Sequence, residues 1–112
     1  MRLLFLDGTP TAIDFVRDEP GHMAVAYNAN CVIFDLETKK QLIRFETEGV
    51  GEINRVVCHP TLALTITAHE DRQIRFWDNS TGKMLHAMVA HLDAVTSLAL
   101  DPHGLYLLSG SK

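Results

Sequence analysis

Gln73-Ile74-Arg75-Phe76-Trp77-Asp78-Asn79-Ser80-Thr81-Gly82-Lys83-Met84-Leu85 repeats the character of Asn30-Cys31-Val32-Ile33-Phe34-Asp35-Leu36-Glu37-Thr38-Lys39-Lys40-Gln41-Leu42 in order. The aromatic-Asp pair recurs at an offset of 43 residues, and Thr, Lys and Leu keep that offset. A third copy begins further along. Ile53 to Pro60 aligns with Val95 to Pro102 at an offset of 42, and Thr67-Ala68 aligns with Ser109-Gly110. A unit repeated at such a period cannot bury its apolar face alone and stacks on its neighbours.

On either side of Trp77 the unit reads as short strands. Leu62 to Thr67 alternates large apolar with small or polar residues, the period of a half-buried strand. His69-Glu70-Asp71 is a tight turn before Gln73 to Trp77, and Asn79 to Lys83 is a second turn, in which Gly82 supplies positive φ. Met84 to Val89 is the last strand. Upstream, Ile53 to Cys58 is another, ended by Pro60, which cannot donate to a ladder. Lys39 stands at the position of Gly82, so a shared turn type places Lys39 at positive φ too, at a cost of about 1 kcal/mol relative to Gly.

No stretch sustains a helical period. Four antiparallel strands in roughly 40–45 residues have the dimensions of a β-propeller blade. The sequence therefore predicts an all-β fold of antiparallel four-stranded blades, an incomplete propeller of about two and a half blades. Residues 1–9 read as a leader or frayed strand and 10–47 as a degenerate first blade. Residues 48–90 read as the second blade, and 91–112 as the first half of a third, truncated. An open stack exposes strand edges, which predicts pairing with a partner or self-association through the open blade edges.

The 112 residues suit one small domain, and 46% apolar with 21% charged residues is ordinary globular composition. A net charge of −4 does not attract phosphate backbones, so nucleic acid is not an expected partner. Arg44, Arg55, Arg72, Arg75 and Lys83 are scattered without an aromatic platform, which agrees. No apolar run approaches the roughly 18–20 residues of a transmembrane segment. Leu3-Leu4-Phe5-Leu6 stops at Asp7, short of a signal-peptide core. Cys31 and Cys58 lie inside apolar runs and read as reduced, buried thiols, which implies a reducing, cytoplasmic compartment. In that setting Asn79-Ser80-Thr81 has no meaning as a glycosylation site.

Trp77-Asp78, Ala90-His91 before Asp93 to Ala99, and Ser109-Gly110-Ser111 resemble the WD-repeat family. In that family a buried Trp, a turn Asp, a strand Ser or Thr and a His before the first strand hydrogen-bond across each blade. The resemblance assigns this structural hydrogen-bond network to Thr67, Asp71 and Trp77 in the middle blade and to His91 and Ser109 in the last. It also implies a partial network. Glu48 or Gly49 stands where the middle blade would carry its His, and Asn28 and Phe34 stand at the Asp and Trp positions of the first blade. Such networks matter because each buried polar group left unpartnered costs about 1–3 kcal/mol.

Val56-Val57-Cys58-His59-Pro60-Thr61-Leu62, Thr65 to Arg72, Asp78 to Lys83 and Met88 to Leu98 are similar to the striatin family, densely from Ile53 to Ser111 and loosely from Pro10 to Leu42. The resemblance implies a non-enzymatic protein–protein interaction module. Striatins are scaffold and regulatory subunits of type 2A protein phosphatase, in signalling assemblies with Ste20-like kinases and Mob-family proteins. The caveolin-binding, coiled-coil and calmodulin-binding segments of the family's N-terminal half have no counterpart in this sequence.

Residues that carry chemistry elsewhere have plainer readings here. His86 and His91 are five apart and His59 and His69 ten apart, without the Cys or Glu that would complete a metal site. Gly82-Lys83 has neither the upstream Gly nor the following Ser or Thr of a phosphate loop. Glu70-Asp71 and Asp18-Glu19 lie in turns, and no Ser has a nucleophile-elbow context. No catalytic residue, metal or cofactor is assigned. What remains is surface, and loops on a rigid scaffold are where binding residues concentrate. The partner-binding candidates are Glu52, Asn54, Arg55, His69, Glu70, Arg72, Leu92 and Asp93. The alternative is a propeller-type enzyme or small-ligand-binding domain with its site on the central channel. That reading needs convergent His, Asp or Glu on inner strands, and Ile53 to Cys58 and Val95 to Leu100 are mostly apolar.

Overall fold

A computed structural model describes residues 10–17, 19 and 21–112. The reading of residues 1–9 as a leader or frayed strand, and of Asp18 as half of an acidic turn, lies outside the described residues.

The described chain forms strands only. They are β1 (Ala12–Val16), β2 (His22–Tyr27), β3 (Asn30–Asp35), β4 (Gln41–Arg44), β5 (Ile53–Cys58), β6 (Leu64–His69), β7 (Gln73–Asp78), β8 (Met84–Val89), β9 (Val95–Leu100) and β10 (Leu107–Ser111). β1-β2-β3-β4 and β5-β6-β7-β8 are antiparallel meanders, and β9 pairs with β10 as a hairpin. This is the predicted all-β architecture of four-stranded blades, two whole and the first hairpin of another. β5 and β8 have their expected bounds. β6 starts at Leu64 instead of Leu62, and His59 is the cause. Its Nδ1 accepts the N–H groups of Thr61 (3.1 Å) and Leu62 (3.0 Å) while its own N–H bonds Leu64 O (2.9 Å), which holds the intervening residues in a turn.

The two sheets are near copies with one slip. Trp77 pairs across from Thr65, but Phe34 pairs across from Met23. β3 and β7 thus correspond at 43 residues and β2 and β6 at 42. The turn between β2 and β3 absorbs the difference, being two residues (28–29) against three (70–72). In these turns Asn28 and Arg72 take φ of 53° and 71°. The later turns match closely. Lys39 N–H and Gly82 N–H each donate to an Asp carbonyl, Asp35 O and Asp78 O, at 2.8 Å. Lys39 sits at φ 59° and Gly82 at φ 75°, as the repeat predicts. Only Gly82 is also wedged against a neighbour. A Cβ there would lie 2.6 Å from Arg44 O, and Gly82 O accepts Glu46 N–H at 2.9 Å.

Packing is between sheets. Ala24, Ala26, Cys31 and Ile33 of the first sheet, with Phe45 just after β4, meet Ile53, Val56, Cys58 and Trp77 of the second. Phe45 and Trp77 stack with ring planes 3° apart and centroids at 5.5 Å. A second cluster joins Ile66, Ala68 and Ile74 to Val95 and Leu98 of the hairpin. At the repeat offset Phe45 corresponds to Met88. Phe45 is 2% exposed under the ring of the next blade, whereas Met88, with no such ring above it, is 44% exposed.

The two turns differ in how they respond to substitution. Lys39→Gly relieves the left-handed strain and raises stability by up to about 1 kcal/mol. Gly82→Ala lowers stability by more than that, because Arg44 O must move. Urea denaturation of the two variants measures both effects, and equal responses would contradict the wedge.

Candidate functional site

Trp77 sets the geometry of the second sheet. Its buried Nε1–H donates to Thr67 Oγ1 (2.8 Å), and the Thr67 hydroxyl donates to His69 Nε2 (2.6 Å). His69 Nδ1–H donates to Gly51 O (2.8 Å). The carbonyl at Nδ1 fixes the neutral tautomer. The local sequence explains the alignment. Alternation puts Thr65, Thr67 and His69 on one face of β6, and Trp77 on β7 is the diagonal neighbour of Thr67.

His69 therefore departs from its expected place among the loop residues. It ends β6, is fully buried, and supplies the imidazole that was expected before the first strand, where Glu48 and Gly49 stand exposed. Burial pushes its pKa down from the ordinary histidine value, outweighing the Gly51 hydrogen bond. Asp71 stands apart from the chain of bonds. It is held by the Arg75 guanidinium at 3.1 and 2.7 Å and accepts Gln73 N–H at 3.3 Å. The Arg75 hydrogen bonds hold its carboxyl below the usual range. In the hairpin, His91 Nε2 and Ser109 Oγ meet at 2.8 Å.

The first sheet has a different set of side chains in place of this network. Its register puts Val25, Tyr27 and Phe34 where the second sheet has Thr67, His69 and Trp77. Met23, Val25 and Val32 form a buried cluster with Tyr27 and Phe34 packed against it. Cys31 and Cys58 are buried in the inter-sheet core, and burial pushes the Cys31 thiol far up, which makes it a poor nucleophile.

The candidate loop residues divide three ways. The meander brings residues 45–52, 70–72 and 90–94 to one end of the strands, where Glu52, Glu70, Arg72, Leu92 and Asp93 are exposed. Asn54 and Glu70 lie in a joint. Asn54 Nδ2 donates to Glu70 Oε1 and to Val95 O, both at 2.9 Å, and Glu70 Oε2 lies 3.5 Å from Lys112 Nζ. Arg55 faces elsewhere, into a cleft along β1, β5 and β9 that it shares with Arg17 and Asp14. The sequence reading missed Arg17, Asp14 and His59. Asp14 Oδ2 accepts Cys58 N–H at 2.8 Å, and His59 Nε2 bonds Gly104 O at 3.1 Å, so both are ties between units. The repeat carried no signal for them, because each contact joins different positions of neighbouring units.

Among the described residues no group of three or more His, Cys, Asp or Glu could hold a metal ion, and no helix is long and apolar enough to cross a membrane. Residues 39–78 and 82–112 match the WD domain, G-beta repeat family. Striatin-3 of Mus musculus is 56% identical over 93% of this chain, Striatin of Homo sapiens 50% over 93%, and Striatin-4 of Mus musculus 51% over 93%. The chain spans 14% of the length of each of these curated relatives.

Two outcomes follow from the buried network. Trp77→Ala lowers stability by roughly 3–5 kcal/mol, and Trp77→Phe by less, since a ring remains on Phe45 while Thr67 loses its donor. Denaturant titration separates them, and equal losses would mean the indole is not packed. Because folding disfavours the His69 cation, the unfolded chain takes up that proton first as pH falls. Stability contributed by neutral His69 is thus complete above about pH 6.5 and is lost as pH drops below it. A His69→Asn variant shows a shallower decline between about pH 7 and pH 5, and parallel declines would assign the effect to other groups.

Proposed function

Because the chain belongs to the WD40-repeat family and aligns with a segment of the striatins, we propose that it is a non-catalytic protein-interaction module of a phosphatase–kinase scaffold. One observation carries this reading most directly. Three of the six histidines, His59, His69 and His91, are engaged in hydrogen bonds that hold the strands and their turns. Exposed Glu52, Arg72, Leu92 and Asp93 stand on loops that the sheets hold at one rim. Partners by resemblance are type 2A phosphatase, Ste20-like kinases and Mob-family proteins. A reducing, cytoplasmic setting fits the two buried thiols.

The test passes each purified partner over the immobilised chain. At least one binds saturably, and a Leu92→Asp, Asp93→Lys double variant weakens it about tenfold or more with unchanged melting. No binding by any of the three would overturn the reading. Saturable stabilisation by a nucleotide or metal, with no protein bound, would favour the channel-ligand alternative instead. The edge of β10 supports self-association as a further property, since β10 pairs only with β9 among the described residues and Leu108 is exposed. On size-exclusion chromatography the apparent mass rises with concentration, and Leu108→Lys returns it toward the monomer. A parent chain that stays monomeric throughout removes this property.

A further inference from the structure

We propose that the cleft along the inner strands binds an extended acidic peptide, with Arg17 and Arg55 as its anchors and the apolar surface of β1, β5 and β9 as its floor. The proposal rests on the reading of the chain as an interaction module and names the chemistry of one partner. The cleft has a volume of about 310 Å³ and is bordered by Ile13 and Arg17 at β1, Arg55 and Val57 on β5, and Leu98 and Leu100 on β9.

Three observations point to an anion. Arg17 and Arg55 are exposed, and neither guanidinium makes an ion pair or hydrogen bond among the described residues. Arg75 and Arg44, by contrast, are held by Asp71 and Asn30. The carboxylate in the cleft, Asp14, is committed to backbone. Its Oδ2 accepts Cys58 N–H (2.8 Å) and its Oδ1 accepts Phe15 N–H (3.0 Å), so it fixes the junction of β1 and β5 instead of answering the arginines. Two guanidiniums against one carboxylate leave the cleft positive in a chain whose net charge is −4.

Two further observations point to a peptide in place of a small anion. Ile13 lines the cleft and is 46% exposed, beside Val57 and Leu100, so apolar surface flanks the cations. β5 and β9 are also edge strands, each paired on one side only among the described residues, the position from which an extended chain is commonly bound. A segment alternating acidic and large apolar side chains matches this surface. Each acid meets the planar fork of an Arg, which can bond a carboxylate through two N–H groups. A nucleic acid strand does not match, because the net charge repels a polyanion beyond the cleft.

The probe is a fluorescein-labelled peptide of sequence Glu-Leu-Glu-Leu-Glu-Phe, read by fluorescence polarisation with the whole chain. Binding is saturable, falls with added salt, and weakens at least about tenfold in an Arg17→Glu, Arg55→Glu double variant whose melting is unchanged. Gln in place of Glu in the peptide has the same effect. Equal binding of the Gln peptide, undiminished binding by the double variant, or full competition by an oligothymidylate of equal charge would each overturn the proposal. The parent chain and double variant are also run against the kinase, Mob and phosphatase proteins. Protein capture without peptide binding overturns the cleft alone, and absence of both overturns the interaction module as well.

Discussion

The indole N–H of Trp77 must find an acceptor in a place from which water is excluded, and the second sheet is arranged around that need. One face of the ring is covered by Phe45 from the sheet before it, so the two sheets must be in contact for the ring to be buried at all. The edge of the ring reaches Thr67, whose hydroxyl is completed by His69, whose other nitrogen is completed by the Gly51 carbonyl. The loop entering β5 is thereby fixed by a residue two strands away. Gly51 itself admits no larger residue easily, since a Cβ there would lie 3.0 Å from the Asp71 side chain. Packing and polar satisfaction thus impose the same arrangement, and a change that breaks either one reaches the other.

The large features of the fold were legible because they repeat. A period near 43 residues fixed the number of strands, and Lys39 inherited its backbone conformation from Gly82 through that period. The bounds of β5 and β8 followed from local alternation ended by Pro60 and bounded by turns. Failures occurred where a long-range contact decides a local choice. His69 looked like a turn residue because a histidine beside Glu70-Asp71 is polar by composition. Only the burial of β6 against the first sheet takes it inside, although its place two residues after Thr67 was a usable sign of a shared face. The slip between β2 and β6 was hidden because an offset set by β3 and β7 was applied across a turn of different length. Arg17 and Asp14 were invisible for a simpler reason. Their importance comes from β1 lying beside β5, and nothing within either strand announces that neighbour.

The comparison of the two sheets separates what the architecture needs from what one copy happens to use. The first sheet keeps the strand order and the turn after the third strand, with Val25, Tyr27 and Phe34 where the second has Thr67, His69 and Trp77. Val25 and Phe34 carry no polar group in place of Thr67 and Trp77, and so those two places tolerate a looser register. The polar set is more exacting, since a shift of one residue would turn Thr67 and His69 to the opposite face.

The bonds between units join each one to its predecessor in the chain. Asn28 O receives Ile53 N–H at 2.6 Å and the Asp14 carboxylate receives Cys58 N–H, while Glu46 N–H and Asn54 Nδ2 donate forward to Gly82 O and Val95 O, so each unit offers its successor both donors and acceptors. On a ribosome, which releases the N-terminal end first, the earlier sheet is complete before its successor emerges. Each new strand then arrives at a template already carrying the groups it must meet. The part of the chain waiting for a partner during synthesis is accordingly about one blade long, however many blades follow.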